Sequence, residues 1–132
     1  MPTHLKRSLE EISCEVYNSD PTRVRRVAKV MPSEETSDEA ARQLKAVADP
    51  VRLRILYALS KEPLCVCELS VLLNMSMPAV SHHLRILLSA GLLKVRKEGK
   101  FACYYLRENR FVNEVLPCIL QSLSQNLSPK EE

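Results

Sequence analysis

The fold is decided by residues 64–91, LCVCELSVLLNMSMPAVSHHLRILLSAG. Leucines at helical spacing predict a first helix over about 67–73, and Asn74 tolerates the left-handed conformation that a tight turn requires. Ser76 can cap a second helix, which is expected to run to about residue 89 and to end before Gly91. Two helices joined by a short turn near Asn74 have the spacing of a helix-turn-helix.

The second of these helices has the surface that a DNA-reading helix needs. Its apolar stripe is expected to be buried and comprises Val80, Leu84, Leu87 and Leu88. Off this stripe the side chains are small or hydrogen-bonding, so the helix can enter the major groove closely and read base edges. The candidate DNA-contacting residues are Ser76, Met77, Ala79, Ser81, His82 and Arg85.

A histidine pair on this helix, His82 and His83, raises the possibility of a metal site. Adjacent residues on a helix diverge, and no Asp or Cys is spaced to complete such a site. DNA contact by His82 and packing or phosphate contact by His83 are the favoured interpretation.

A basic β-hairpin is predicted directly after the second helix. Residues 93–97 alternate with period two, Glu98-Gly99-Lys100 turns the chain, and Phe101 to Leu106 returns as a second strand. Residues 81–110 carry seven Lys or Arg against two Asp or Glu, so the positive charge coincides with the elements that would touch DNA. The hairpin is therefore interpreted as a wing whose candidate DNA contacts are Arg96, Lys97 and Lys100. The fold class is mainly α (α+β), a winged helix-turn-helix that binds double-stranded operator DNA.

Length and composition exclude several other classes of protein. The 132 residues suit one domain, and 45% apolar and 27% charged residues are ordinary for a soluble globular chain. No apolar run approaches the roughly 20 residues of a membrane span, and the charged start is unlike a secretory signal, so a cytoplasmic location is expected. With two glycines, no Cys-x-x-Cys and no paired carboxylates in a pocket-like context, the chain is not expected to be an enzyme.

The segment before the helix-turn-helix is assigned from its capping residues. Ser37 is a plausible cap for a helix over about 38–47. Asp49 caps a further helix, in which Pro50 takes the first position, where its missing N–H costs nothing.

The apolar segment from Phe111 to Leu123 is more apolar than one helix of so small a domain needs. With residues 38–47 it is expected to form the interface of a homodimer, which two DNA half-sites require. Pro117 is tolerable in a first helical turn but would kink a helix interior. The predicted organisation is an arm at 1–36, a DNA-binding and dimerisation domain at 37–126 and a disordered tail at 127–132.

Several motifs, in order over about 38–125, resemble the ArsR/SmtB family of metal-sensing repressors. They are Ala48-Asp49-Pro50 with Arg52, Leu64 to Leu69, Ser81 to Leu84, Ala90 to Leu93, Arg96 to Lys100, and Tyr104-Tyr105. Within the family the chain looks most like the CadC-type cadmium/lead sensors, whose N-terminal cysteine arm aligns with Cys14-Glu15-Val16. The resemblance implies a winged-helix homodimer that represses a promoter when metal-free and leaves it when metal binds.

Cys65-Val66-Cys67 is the most informative cysteine motif. On a regular helix, residues i and i+2 point about 200° apart, whereas in an extended stretch they point to the same side. Where a short strand runs into a helix start, both sulfurs can therefore converge, and Cys67 lies at the positive helix end, which favours the thiolate. Soft ions take three or four sulfurs, so the pair needs another ligand, for which Cys14 is the natural candidate.

The CadC-type resemblance implies that Cys14 reaches the pair from the other subunit, although closure within one chain stays open. Those relatives have a second arm cysteine where this chain has Asn18, which favours a three-sulfur site. Such a site suits Pb(II), Bi(III) or As(III), and Cd(II) with an added ligand. The alternatives are a redox-sensing repressor, in which Cys65 or Cys67 pairs with Cys14, and remotely a thiol oxidoreductase or metal carrier.

Two other cysteine and metal features are interpreted without a sensing role. Cys103 and Cys118 are expected to be small buried hydrophobes. The family's zinc site on the C-terminal helices is not expected, because an arginine and no histidine occupy its aligned positions. Those positions are Glu108, Arg110, Gln121 and Ser124.

Overall fold

The computed structural model describes residues 20–125, which form two compact units that divide between Ala41 and Arg42. Helix α1, Pro21–Ala28, is capped by Asp20, whose Oδ1 accepts the N–H of Thr22 at 2.9 Å. The sequence did not predict this helix. Cys14 and the predicted tail at 127–132 lie outside the described residues.

Helix α2, Glu34–Val47, begins earlier than predicted. Ser33 is its cap instead of Ser37, because the Ser33 hydroxyl accepts the N–H of Thr36 at 3.1 Å. Ser37 already lies inside the helix and donates its hydroxyl to the carbonyl of Ser33 at 3.0 Å. The arm boundary predicted between residues 36 and 37 therefore falls within α2.

Helix α3, Pro50–Lys61, begins as predicted. Oδ2 of Asp49 accepts the N–H groups of Val51 at 2.9 Å and Arg52 at 3.0 Å. Since these amides have no partner within the helix, the carboxylate replaces bonds that the helix start lacks. The helix ends at Lys61, and Glu62, whose backbone is extended, follows just before Pro63.

The helix-turn-helix is confirmed. The short strand β1, Leu64–Cys65, leads into helix α4, Val66–Leu73, and Asn74 follows with φ 53° and ψ 51°. Helix α5, Met77–Ser89, is capped by Ser76, whose hydroxyl accepts the N–H of Ala79 at 3.3 Å. The left-handed conformation at Asn74 ends α4 and redirects the chain into α5.

The predicted wing is also confirmed, and it belongs to a larger sheet. Strands β2, Leu93–Glu98, and β3, Phe101–Leu106, form an antiparallel hairpin. Gly99, the first of its two loop residues, has φ 65°, which glycine adopts without strain. Strand β1 pairs antiparallel with β3, giving the order β1-β3-β2. The sequence predicted the extended stretch but not this pairing.

The C-terminal segment accommodates Pro117 by a local change of helix type. Residues Phe111–Val115 form a π-helical turn that continues into α6, Leu116–Gln125, and the N–H of Leu116 donates to the carbonyl of Phe111. Pro117 then lies in the first turn of α6, where its missing N–H is tolerated.

The core lies among α3, α4, α5 and this C-terminal segment. The stripe that the sequence assigns to a dimer interface is partly used within the chain. Its buried members pack into the chain's own core and are Phe111, Val112, Leu116 and Leu120. Val115 remains 41% exposed, and Leu44 on α2 is 49% exposed. Among the residues described, no helix is long and apolar enough to cross a membrane.

Candidate DNA interface and thiol site

Helix α5 presents its predicted DNA-contacting residues on the side away from the core. Val80, Leu84 and Leu87 are fully buried and fix the orientation of the helix. The opposite side has exposed and partly exposed members. The exposed residues are Ser76, Met77, His82 and Arg85, and the partly exposed ones are Ala79 and Ser81.

A basic groove that the sequence did not predict lies beside this surface. Its volume is about 430 Å³, and Arg42 and Lys45 from α2 line it together with His82 and Arg85 from α5. The guanidinium of Arg42 donates to the carbonyl of Ser89, which ties it to the end of α5. Arg42 and Lys45 are three residues apart on one helix, and that spacing is the signal that could have found them.

The wing also exposes its three candidate cations, Arg96, Lys97 and Lys100. The guanidinium carbon of Arg96 lies 5.0 Å from the ring centroid of Tyr105, a cation–π distance that orients the side chain. Positive charge therefore occurs on both elements that follow the turn at Asn74, helix α5 and the hairpin. Helix α5 is called the reading helix below.

A polar cluster holds α5 against the start of α3. The Nε of Arg52 donates to the carbonyl of Ala46 at 2.6 Å, and its Nη1 lies 3.2 Å from Nδ1 of His83. The N–H of Arg52, donating to the Asp49 carboxylate, lowers the pKa of Asp49 against the opposing effect of burial. His83 is mostly buried in this cluster, so it packs between helices.

The two sulfurs of the Cys-x-Cys motif converge. Cys65 ends β1 and caps α4, Cys67 lies in the first turn of α4, and their Sγ atoms are 2.9 Å apart. Cys65 is only 7% exposed, whereas Cys67 is partly exposed and gives the pair access to solvent. A strand that runs into a helix start thus brings together two side chains that a regular helix would separate.

The environment of Cys65 favours its protonated thiol. The hydrogen bond with Cys67, followed by burial, raises the pKa of Cys65 to about 11. Glu68 fixes the backbone at this point, because its Oε1 accepts the N–H of Cys65 at 2.9 Å. That bond also lowers the pKa of Glu68.

Two thiols do not complete a site for a soft ion. Within residues 20–125, no group of three or more His, Cys, Asp or Glu side chains is placed to hold a metal ion. The pair fits such an ion as two ligands of a larger set, and Cys14, the predicted third ligand, lies outside the described residues.

The interpretation of the other two described cysteines as buried hydrophobes is wrong. Cys118 is exposed, because it lies on α6 away from the side that carries Leu116 and Leu120 into the core. Cys103 is partly exposed and lies on β3 directly opposite Cys65. Arg110, at an aligned position of the family's zinc site, pairs with Glu114 at 3.1 Å.

A helix-turn-helix followed by a basic hairpin defines a winged-helix DNA-binding protein. Residues 49–95 match the family described as bacterial regulatory protein, arsR family. The chain is also 41% identical over 90 residues to a transcriptional repressor SmtB homolog of Synechocystis sp., a match that covers 68% of each protein. The chain belongs to this family of bacterial regulators.

Two further similarities agree with this assignment. The cadmium resistance transcriptional regulatory protein CadC homolog of Staphylococcus aureus is 36% identical over 104 residues, covering 78% of this chain and 84% of the relative. A solution structure from Mycobacterium bovis, a homodimeric winged helix-turn-helix DNA-binding domain of a possible ArsR-family regulator, is 25% identical. It aligns with a TM-score of 0.62 over 75% of this chain and 94% of that one.

Proposed function

We propose that the chain is a metal-responsive transcriptional repressor that binds operator DNA as a homodimer in the cytoplasm. A thiophilic ion, Cd(II), Pb(II), Bi(III) or As(III), binds Cys65 and Cys67 and releases the protein from DNA. The observation that carries this proposal is the 2.9 Å separation of the two sulfurs at the start of the helix-turn-helix. The relatives named as an SmtB repressor and a cadmium resistance regulator support it.

DNA binding is assigned to the surface that α5 and the wing share. Helix α5 enters the major groove, where His82 and Arg85 reach base edges. Lys97 and Lys100 on the wing neutralise phosphates, and Arg42 and Lys45 extend the positive surface along the basic groove. The protein acts on DNA without catalysing a reaction.

A dimer within residues 37–126 gives each operator half-site one reading helix. The homodimeric relative from Mycobacterium bovis supports this assembly. Leu44 on α2 and Val115 in the C-terminal segment supply exposed apolar side chains for the contact. These are parts of the two segments from which the sequence predicts dimerisation.

Cys14 of the partner subunit supplies the third ligand, so that three sulfurs surround the ion. This arrangement suits ions that accept thiolate ligands in preference to oxygen. When bound, the ion joins the N-terminal segment to the strand–helix junction at Cys65. Release then requires only that the ion bind the free protein more tightly than the DNA complex. A coupling of about 1–3 kcal/mol weakens DNA binding about 5–150-fold.

The test is fluorescence anisotropy with promoter DNA of the chain's own gene. Wild type is compared with Cys14→Ser, Cys65→Ser and Cys67→Ser, each with Cd(II), Pb(II), Bi(III) and arsenite. Cys118→Ser is the matched control, because its thiol is exposed on α6 outside the proposed site. We expect all variants to bind DNA, and only wild type and Cys118→Ser to be released by an ion.

Metal-induced release of both Cys65→Ser and Cys67→Ser contradicts the proposed site. Release by hydrogen peroxide, with no response to any of the four ions, selects the redox-sensing alternative. In that case Cys65 or Cys67 forms a disulfide with Cys14, and the peroxide takes the two thiol protons and two electrons to give two waters.

A further inference from the structure

The thiol pair at the start of α4 is arranged for a second reaction besides ion binding. The Sγ atoms of Cys65 and Cys67 are 2.9 Å apart, and the S–S bond of a disulfide is about 2.05 Å long. A shift of about 0.9 Å therefore brings the two sulfurs to bonding distance. Changes in the side-chain torsions supply such a shift without a rearrangement of the fold.

The backbone around the pair keeps the two sulfurs together. Cys65 pairs with Cys103 in the antiparallel ladder of β1 and β3, and its N–H donates to Oε1 of Glu68 at 2.9 Å. The backbone of Cys65 is therefore bound to a strand on one side and to the first turn of α4 on the other. Two thiols that are held in contact react with each other faster than either reacts with a thiol that it must first meet.

The two sulfurs differ in their access to solvent, which sets the order of a reaction with a small oxidant. Cys67 is partly exposed, whereas Cys65 is buried. An oxidant from solvent therefore meets the sulfur of Cys67 first. The thiol in contact with that sulfur is Cys65, so it is placed to react with the oxidised Cys67.

We infer that Cys65 and Cys67 form a reversible disulfide with each other when the protein meets a hydroperoxide, and that this disulfide blocks ion sensing. With hydrogen peroxide, the sulfur of Cys67 bonds to one oxygen, the O–O bond breaks, and the other oxygen leaves with the thiol proton as water. The sulfur of Cys65 then attacks the resulting sulfenic acid. The S–O bond breaks, and the hydroxyl leaves with the Cys65 proton as a second water. The two thiols supply the two electrons that reduce the peroxide.

The effect on ion sensing rests on the proposed function. A disulfide removes both sulfurs as ligands, because soft ions bind the thiolate. Of the three proposed ligands only Cys14 then remains, which is too few for such an ion. The proposed DNA contacts on α5 and the wing include neither sulfur, so the oxidised protein keeps its operator when Cd(II) arrives. This outcome is opposite to that of the redox-sensing alternative, in which a disulfide with Cys14 releases DNA.

Peptide mapping tests the pairing. Cleavage after Lys and Arg leaves both cysteines in one fragment, residues 62–85, and leaves Cys14, Cys103 and Cys118 in three others. DNA-free protein is treated with hydrogen peroxide, its free thiols are alkylated, and the masses of the fragments are measured. We expect fragment 62–85 to be unalkylated and two hydrogen atoms lighter than the reduced fragment. The same result is expected for Cys14→Ser and Cys103→Ser.

Dimedone, which traps sulfenic acids, tests the order of attack. We expect Cys65→Ser to be labelled at Cys67 faster than Cys67→Ser is labelled at Cys65, because only Cys67 is open to solvent. Equal rates would contradict that order.

Anisotropy with promoter DNA tests the effect on sensing. Reduced wild type should give a ratio of operator Kd with and without Cd(II) of about 5–150. Oxidised wild type should bind the operator within about threefold of the reduced protein and give a ratio near one. A phosphine reductant, removed before the assay, should restore the ratio. Cys118→Ser is the control and should behave as wild type in both states, because that thiol is exposed on α6.

Two results overturn the inference. The first is recovery of fragment 62–85 with both thiols alkylated, or joined to the fragment that contains Cys14 or Cys103. The second is release of the oxidised protein from DNA by Cd(II). Failure of the proposed function looks different, because reduced wild type then keeps its operator affinity in Cd(II), Pb(II), Bi(III) and arsenite, while the disulfide within fragment 62–85 still forms.

Discussion

Nη1 of Arg52 lies 3.2 Å from Nδ1 of His83, which joins the first turn of α3 to the reading helix α5. A guanidinium can only donate, so Nδ1 of His83 is the atom that can accept from Arg52. The same arginine is held by the carbonyl of Ala46 and lies beside the Asp49 carboxylate. The Arg52 side chain therefore links the capped start of α3 to helix α5.

Replacing Asp49 tests how much its cap stabilises α3. We expect Asp49→Ala to lower the free energy of unfolding by about 1–2 kcal/mol, because two backbone N–H groups lose their acceptor. Asp49→Asn is the matched control, since its amide oxygen still caps the helix, and it should cost less. Urea denaturation measures both, and equal losses for the two variants would show that the charge, not the cap, is what stabilises α3.

Acid should remove part of the stability that the Asp49 carboxylate gives to the folded state. The pKa of Asp49 is lowered in the folded state, chiefly by the N–H of Arg52. The stability it gives is therefore complete above the unfolded pKa, about 3.9, and is lost as pH falls through the lower folded value. Urea unfolding from pH 7 to pH 3 should show a smaller decrease for Asp49→Asn than for wild type. A decrease of the same size in both would mean that other carboxylates account for the acid sensitivity.

Two leucines of the helix-turn-helix, one on each helix, differ in how much they stabilise the fold. Leu84 on α5 is 0% exposed, whereas Leu72 on α4 is 55% exposed. We expect Leu84→Ala to cost about 2–5 kcal/mol, because it leaves a cavity among α3, α4 and α5. Leu72→Ala should cost about 0.5 kcal/mol or less. Chemical denaturation with both variants checks the assignment of the core, which similar losses would contradict.

The local elements could be predicted from the sequence because their signals are local. Asp49, followed by Pro50, and Ser76 each cap the start of a helix by accepting a backbone N–H two or three residues later. Asn74 ends a helix by its left-handed conformation. Each acts as predicted. The prediction of Ser37 as the cap was wrong because Ser33, four residues earlier, is also a serine that can cap a helix. The Ser33 hydroxyl is the one that accepts a backbone N–H of the first turn. Composition alone does not decide between two such residues.

Features that depend on distant contacts could not be predicted in this way. The pairing of β1 with β3 brings Cys65 opposite Cys103 across about 40 residues of chain, and no periodicity indicates it. The basic groove likewise requires α2 to lie beside α5, so Arg42 and Lys45 carry no signal of their own beyond their spacing. The convergence of Cys65 and Cys67 was predictable because strand and helix meet within the motif.

The wing's lysines should contribute charge and not sequence preference. We expect Lys97→Ala and Lys100→Ala each to reduce the slope of log Kd against log salt concentration by about one, since each neutralises one phosphate. Affinity should fall to a similar extent for operator and unrelated DNA. Anisotropy over a range of salt concentrations provides the measurement. An unchanged slope would place that lysine away from the phosphate backbone.

Lys45 and Arg85 line the same groove but should differ in what they recognise. Lys45 lies on α2, so we expect Lys45→Ala to weaken operator and unrelated DNA alike and to reduce the salt slope by about one. Arg85 projects from the reading helix, and Arg85→Ala should cost about 1–3 kcal/mol on the operator and less on unrelated DNA. Lys61→Ala is the control, because Lys61 is an exposed cation at the end of α3 outside the groove. If Lys45→Ala behaves like Lys61→Ala, the positive surface ends at α5, and the groove is not part of the DNA interface.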